Sequence, residues 1–149
     1  MSGSTTIRGL RDDERAWAGT RYEAIQFVAT PRDAVALVAE RAGQRIGLGR
    51  LVAHAPGVIE MGGIWTDDDA RGQGVARAMV EALLAHHDAH DAATPLWCIP
   101  FAHLARFYVS CGFRPRLAPW PAEIAAKVAD CVAHALEVAV LVRPAPSAG

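Results

Sequence analysis

One stretch of the chain, from Val58 to Leu84, constrains its fold more than any other. It begins with an apolar, β-rich run over Val58–Thr66, continues through three aspartates and reaches a glycine-rich loop over Arg71–Ala76. Apolar residues then recur at helical spacing. A glycine-rich loop that opens a helix presents unpaired backbone N–H groups at the positive end of the helix dipole. The order of strand, loop and helix therefore predicts an anion site suited to a pyrophosphate.

The spacing of the glycines excludes two familiar nucleotide-binding loops. An ATP-binding P-loop needs the pattern GxxxxGK[ST], which the sequence lacks, and a dinucleotide fingerprint needs GxGxxG. Gly72 and Gly74 are followed by Arg77 at the position of the third glycine. What remains is an Arg-x-x-Gly-x-Ala loop that follows a strand.

Composition narrows the class of protein. The 149 residues are expected to form a single domain over 1–149, with loose ends at 1–4 and 144–149. A net charge of −1 without basic clusters argues against a nucleic-acid partner. No apolar run reaches the length of a membrane span and the first residues lack a secretory signal, so we expect a cytoplasmic protein without a membrane partner.

The three cysteines match no zinc-binding spacing. We therefore expect reduced, mostly buried thiols and no metal.

The rest of the chain alternates between strand and helix patterns. Thr5–Leu10 is a strand candidate, and Arg11–Phe27 predicts one or two short helices broken near Gly19. The remaining strands are predicted over 34–39, 45–54, 95–99, 113–117 and 134–142, and the remaining helices from Gly72 to about His90, from Pro100 and over 121–131. The helix from Pro100 should turn Leu104, Phe107, Tyr108 and Cys111 inward and stop at Gly112. The pattern indicates an α/β protein with a mixed sheet, in which 95–99 lies parallel to 58–66.

A second motif, Phe107-Tyr108-x-x-x-Gly112-Phe113, supports the first. Together the loop and this motif resemble the GNAT N-acetyltransferase family, which pairs an Arg/Gln-x-x-Gly-x-Gly/Ala loop with a tyrosine-x-x-x-glycine-phenylalanine stretch on a later helix. The resemblance covers nearly all of residues 5–143. It implies the acyl-CoA N-acyltransferase fold, with a central, mixed, splayed sheet of about six to seven strands flanked by helices.

The resemblance also implies a co-substrate, acetyl-CoA, lying in the splay between β-strands 58–66 and 96–99. The strand edge formed by Ile64, Trp65 and Thr66 would pair with the pantetheine arm. Backbone amides of the loop would hold the pyrophosphate; its residues are Arg71, Gly72, Gln73, Gly74, Val75 and Ala76. The expected acceptor is a small-molecule primary amine, and a homodimer is left open.

Three catalytic roles follow from the resemblance. Tyr108 matches the tyrosine that protonates the leaving thiolate, a role that a phenol within hydrogen-bond reach can fill. The backbone amide of Ile64 would meet the oxyanion. Glu60 matches the glutamate that some members use as a base, although it could equally be an outward-facing strand residue.

The sequence keeps several alternatives open. His54, His103 and Glu23 are further candidates for the base, and water chains serve this purpose in many members. Many relatives place an asparagine where this chain has Phe101, and the segment Trp120–Cys131 resembles a helical insertion. A non-catalytic acyl-CoA-binding module and an acetyltransferase for protein N-termini or lysines remain alternative functions.

Overall fold

The computed structural model describes residues 3–24, 31 and 33–146. In that part of the chain the strands are β1 (Thr6–Gly9), β2 (Val35–Arg41), β3 (Gln44–Ala55), β4 (Val58–Thr66), β5 (Leu96–Cys98), β6 (Arg114–Pro115) and β7 (Leu141–Arg143). The α-helices are α1 (Arg15–Ala24), α2 (Val75–His90), α3 (Ala105–Ser110) and α4 (Ala122–Ala133). Short 3-10 helices cover Asp12–Glu14, Asp68–Ala70 and Ala102–Leu104.

The described strands form one seven-stranded sheet in the order β1-β2-β3-β4-β5-β7-β6. Neighbours β1–β2, β2–β3, β5–β7 and β6–β7 are antiparallel, whereas β4 and β5 are parallel. The predicted mixed α/β sheet is therefore confirmed, including the parallel pair reached through α2. Pairing of β4 with β5 ends at Met61 and Cys98, while β4 itself continues to Thr66.

The chain packs as two compact units, each with its own apolar core. The first contains residues 1–52 and 63–86, and the second contains residues 53–62 and 87–149. In the first, Ala18 and Tyr22 of α1 pack against Val38 and Leu48. In the second, Ile124 of α4 packs against Trp97 and Val142. The prediction of one domain stays a prediction.

In the first unit, α2 lies directly on β3 because glycine leaves room for it. A β-carbon added to Gly49 would lie 2.7 Å from the Met79 side chain and 2.8 Å from that of Leu83. Both side chains are almost fully buried. The helical spacing of apolar residues after the glycine loop therefore marks the face that packs on the sheet. None of the helices in the described ranges combines the length and apolarity of a bilayer span.

Several predicted element limits are wrong. The helix α1 runs through Gly19 without a break, and the positions predicted for its end, 25–27, lie outside the described residues. Pro100 does not begin a helix: a 3-10 turn starts at Ala102 and α3 at Ala105, which leaves Leu104 41% exposed rather than inward. The strands predicted over 113–117 and 134–142 shrink to β6 and β7.

A buried carboxylate ties the start of α1 to the sheet. Glu14 accepts hydrogen bonds from two nitrogens of Arg8, at 2.7 and 2.9 Å, and from the backbone N–H of Arg11 at 3.0 Å. Its side chain is only 2% exposed. These hydrogen bonds, above all those from Arg8, lower the pKa of Glu14 to about 2 despite its burial.

The lowered pKa makes a prediction about stability and pH. Because the folded-state pKa lies below the ordinary value of about 4.5, Glu14 stabilises the fold above that value, and the contribution is lost as pH falls toward 2. Glu14→Gln should therefore lower the free energy of unfolding at neutral pH by about 2 kcal/mol. The difference between variant and parent should shrink steadily in denaturant titrations below pH 4.5. Asp12→Asn, at a side chain 97% exposed, is the control and should change little at any pH.

Candidate functional site

Both glycines of the loop have a left-handed backbone conformation. Gly72 and Gly74 have φ of +74° and +83°, the left-handed region that side chains disfavour. A β-carbon at either position would meet nothing within 4 Å, so the glycines are required by backbone conformation while the space around them is open. The sixteen-residue helix α2 starts directly after them at Val75, whose side chain is buried. The loop thus exposes a helix N-terminus over an open surface.

Side chains hold this loop in place. The Gln73 amide donates to the carbonyl of Asp69 at 3.2 Å and accepts a hydrogen bond from the Arg41 guanidinium. Arg41 in turn donates to the Thr5 hydroxyl at 3.0 Å. Arg41 therefore anchors the loop and adds positive charge beside it.

The end of β4 is shaped by Gly63. Its φ is +61°, and its carbonyl accepts a hydrogen bond of 2.8 Å from the Tyr22 hydroxyl. The three residues that follow are partly buried, and Trp65 packs edge-on against Trp17 with ring centroids 5.7 Å apart. Gly62 and Gly63 are consecutive in β4, and the left-handed φ of Gly63 makes the strand backbone irregular at this point.

In the second unit, Glu60 is a buried carboxylate with two cationic or proton-bearing partners. It is 3% exposed, so the outward-facing alternative is wrong. One carboxylate oxygen, Oε1, lies 2.7 Å from His54 Nε2, and the other, Oε2, accepts a hydrogen bond from the Lys127 ammonium. The side chains of His54 and Lys127 are 27% and 42% exposed, so each connects the buried carboxylate to the surface.

Tyr108 lies on α3 with its ring buried. Phe107 and Phe113 contact it edge-on, at centroid distances of 5.0 and 6.4 Å. Burial, with smaller contributions from Cys98 and Cys111, raises the pKa of Tyr108 well above its ordinary value. Gly112, with a φ of +106°, lies directly after the C-cap residue Cys111 and ends the helix, as predicted.

The remaining candidates are less well placed. His103 is exposed and stacks on Phe101 at a centroid distance of 6.0 Å, and Glu23 is exposed on α1. Phe101, at the position of the asparagine in many relatives, forms a β-bridge with Val138. Within residues 3–24, 31 and 33–146, no group of three or more His, Cys, Asp or Glu side chains is arranged to hold a metal ion.

The cysteines form no disulfide. Cys98 is buried, while Cys111 and Cys131 are only partly buried, so the expectation of mostly buried thiols is wrong for two of the three. Burial raises the pKa of the Cys98 thiol, with a further contribution from the nearby Glu60.

Comparison with known families decides the assignment. The GNAT acetyltransferase domain matches residues 32–115, more than half of the 149-residue chain and a span that includes both motifs. The chain belongs to the GNAT acetyltransferase family. It is accordingly an acetyl-CoA-dependent N-acetyltransferase, and it acts on an amine acceptor.

Solved structures share the fold of this GNAT domain at low sequence identity. An acyl-CoA N-acyltransferase from Pseudomonas aeruginosa has a TM-score of 0.68 at 19% identity, over 95% of this chain and 99% of its own. The ribosomal-protein-S18-alanine N-acetyltransferase from Escherichia coli has a TM-score of 0.70 at 16% identity, covering 98% and 97%.

N-acetylglutamate synthase from Neisseria gonorrhoeae, in complex with coenzyme A and N-acetyl-glutamate, has a TM-score of 0.74 at 12% identity. That match covers 99% of this chain but only 36% of the synthase. A search of curated proteins found no significant match. These likenesses establish the GNAT fold and leave the acceptor of this enzyme to be inferred from its own residues.

Sequence reasoning missed two contacts in this GNAT domain. Lys127 lies 67 residues after Glu60, and Tyr22 lies 41 residues before Gly63. One sequence signal could have singled out Lys127, since it is the only lysine among 15 basic residues. No comparable signal exists for Tyr22, whose partner is a backbone carbonyl.

Proposed function

We propose that this enzyme transfers the acetyl group of acetyl-CoA to a primary amine of a small molecule, by direct attack within a ternary complex. The observation that carries the proposal is the environment of Glu60. A buried carboxylate already receives a hydrogen bond from a primary ammonium, that of Lys127. The acceptor has the same functional group, so Glu60 has the charge and hydrogen-bonding capacity to bind an acceptor amine and take up its proton.

His54 gives the buried carboxylate access to solvent. In the tautomer with its proton on Nε2, the His54 ring donates to Glu60 Oε1, and Nδ1 of this partly exposed side chain can accept a proton. A proton from the amine can therefore reach the Glu60 carboxylate either directly or through the imidazole: Nδ1 takes up one proton as Nε2 releases another to Oε1. Glu60 is thus the proposed base, and His54 its proton relay.

The glycine loop fits the pyrophosphate of acetyl-CoA. Its open surface, its left-handed glycines and the N-terminus of α2 offer backbone N–H donors without obstructing side chains. The loop residues 71–76 would hold the pyrophosphate, and the β4 residues Ile64, Trp65 and Thr66 would pair with the pantetheine arm. Acetyl-CoA supplies the acetyl group and a thiolate leaving group.

Tyr108 is the proposed acid. Because burial raises its pKa, the phenol keeps its proton at neutral pH and stays a hydrogen-bond donor. The same burial makes full transfer to an ordinary thiolate less favourable than for an exposed phenol. A thiolate released into a buried environment also has a raised pKa, since burial penalises every anion. Tyr108 therefore donates a hydrogen bond as the C–S bond breaks, and the proton follows as the thiolate charge develops.

Tyr108→Phe tests this role. The ring and its contacts with Phe107 and Phe113 persist, so stability should change little, whereas turnover should fall by roughly 10²-fold. The affinity for acetyl-CoA, measured by calorimetry, should stay nearly constant. An active parent and a fully active Tyr108→Phe variant would show that another group protonates the thiolate.

An acceptor screen tests the overall proposal. Release of CoA is monitored with acetyl-CoA and a panel of primary amines, amino acids and peptides, one of which begins with alanine. Turnover of small amines above that of every peptide supports the proposal. Preference for a peptide would instead place the enzyme among protein acetyltransferases, as its likeness to the S18-alanine enzyme keeps open.

A further inference from the structure

We propose that Tyr22 is a positioning residue, which orients and polarises the backbone N–H of Ile64. The inference rests on the proposed function, in which we take that N–H as the donor to the oxyanion of the thioester, as the family resemblance implies. Tyr22 lies on α1, and its side chain is 2% exposed. Its contact with β4 is therefore part of the packed interior of the first unit.

The hydrogen bond from Tyr22 has a fixed direction. The Gly63 carbonyl can only accept, so the hydroxyl at 2.8 Å must donate and must carry its proton. Burial raises the pKa of Tyr22 to about 12, although the nearby Arg50 opposes the effect. The hydroxyl therefore remains a donor throughout the pH range in which an acetyltransferase works.

The contact with the Gly63 carbonyl also fixes the direction of the Ile64 N–H, because both groups lie in one peptide plane. The carbonyl of Gly63 and the N–H of Ile64 belong to the same trans peptide, in which they point in opposite directions. Tyr22 holds the carbonyl toward α1. The N–H of Ile64 is consequently directed away from α1.

Packing makes this orientation rigid. A β-carbon on Gly63 would lie 2.8 Å from the Tyr22 hydroxyl oxygen and 2.9 Å from Arg50 Nε. The Arg50 guanidinium in turn stacks 4.5 Å from the centroid of the Tyr22 ring. The Tyr22 side chain therefore packs directly against the Gly63 backbone, and it is itself held by Arg50 and by the core around Val38.

The same hydrogen bond also changes the strength of the donor. A hydrogen bond accepted by an amide carbonyl withdraws charge from the amide and strengthens its N–H by roughly 10–30%. Complete loss of one oxyanion donor lowers kcat by about 10²–10³-fold. Loss of Tyr22 leaves the N–H in place but less oriented and less polarised, so the expected fall is smaller.

Tyr22→Phe is the test. We expect kcat to fall about tenfold and the KM for acetyl-CoA to change by less than about twofold, since the contact acts on the transition state. Val80→Ala is the control, because it removes buried packing from the same unit outside the core cluster that holds Tyr22. Both variants are assayed well below their melting temperatures. An equal fall in kcat for Val80→Ala would show that Tyr22 acts only through stability.

A spectroscopic readout separates this inference from the proposed function. The probe is an analogue of acetyl-CoA in which methylene replaces the thioester sulfur, with a ¹³C-labelled carbonyl whose infrared stretch falls when a donor polarises it. In the parent, the bound stretch should lie below the free value, and in Tyr22→Phe this shift should be clearly smaller. An unshifted stretch in the parent would overturn the Ile64 assignment and the inference with it. A normal shift in the parent that persists unchanged in Tyr22→Phe would overturn the inference alone.

Discussion

Gly74→Glu should abolish measurable binding of acetyl-CoA while the protein stays folded. The substitution adds a carboxylate at the loop that we assign to the pyrophosphate, and its side chain enters space that is open in the parent. Losing two charge-assisted hydrogen bonds to phosphate, at about 1.5–3 kcal/mol each, weakens binding by about 10²-fold or more. Calorimetric titration with acetyl-CoA measures the effect.

The chain offers a matched control at Gly57. This glycine has a φ of +77°, close to the +83° of Gly74, and a β-carbon there also meets nothing within 4 Å. Gly57→Glu thus carries the same backbone strain and charge into the β3–β4 turn instead of the loop. It should melt like Gly74→Glu but bind acetyl-CoA like the parent. Equal affinities of the two variants for acetyl-CoA would show that the pyrophosphate does not bind at the loop.

The region from β4 to α2 could be predicted from sequence because its signals are local. A strand pattern, two loop glycines and a helical apolar stripe each depend on neighbouring residues, and β4 begins and ends where predicted, at Val58 and Thr66. The left-handed conformation of Gly72 and Gly74 follows from the same local rule.

The end of the chain could not be predicted in the same way. The sequence HALEVAVLV is apolar and β-branched, yet its first part caps α4: Ala135 has a φ of +57°, and the Leu136 N–H donates to the Cys131 carbonyl at 2.9 Å. The middle part bonds to the loop before α3, through the Ala139 N–H and the Pro100 carbonyl. Only β7 remains as a regular strand. Strand propensity here is overridden by partners that are distant in sequence.

The candidate site shows the same limit. The motif residues could be located by resemblance, but whether Glu60 was buried or exposed depended on packing that no local pattern encodes. Its partner Lys127 lies on α4, in a segment that sequence reasoning could describe only as an insertion. The burial of Glu60 and its pairing with Lys127 could therefore be learned only from the structure.

Glu60→Gln should lower kcat/KM for the amine by about 10²–10³-fold. The glutamine amide carries no charge to bind the protonated acceptor, and it cannot take up the acceptor's proton. The loss should be largest at low pH, where more of the acceptor is protonated and most needs a base. A pH–rate profile of the variant against the parent measures both effects. Glu137→Gln, an exposed carboxylate in the same unit, is the matched control and should leave the profile unchanged.

Two further variants divide the role of Glu60 between binding and proton transfer. His54→Gln breaks the relay but leaves the carboxylate, so a fall in kcat/KM close to that of Glu60→Gln would show that the proton travels through the imidazole.

Lys127→Met removes the ammonium that now occupies Oε2. If an acceptor amine takes the same place, its KM should fall severalfold, because it no longer competes with the lysine. A Glu60→Gln profile that overlays the parent's would make this buried ion pair purely structural, and the base would then be a water chain or another residue.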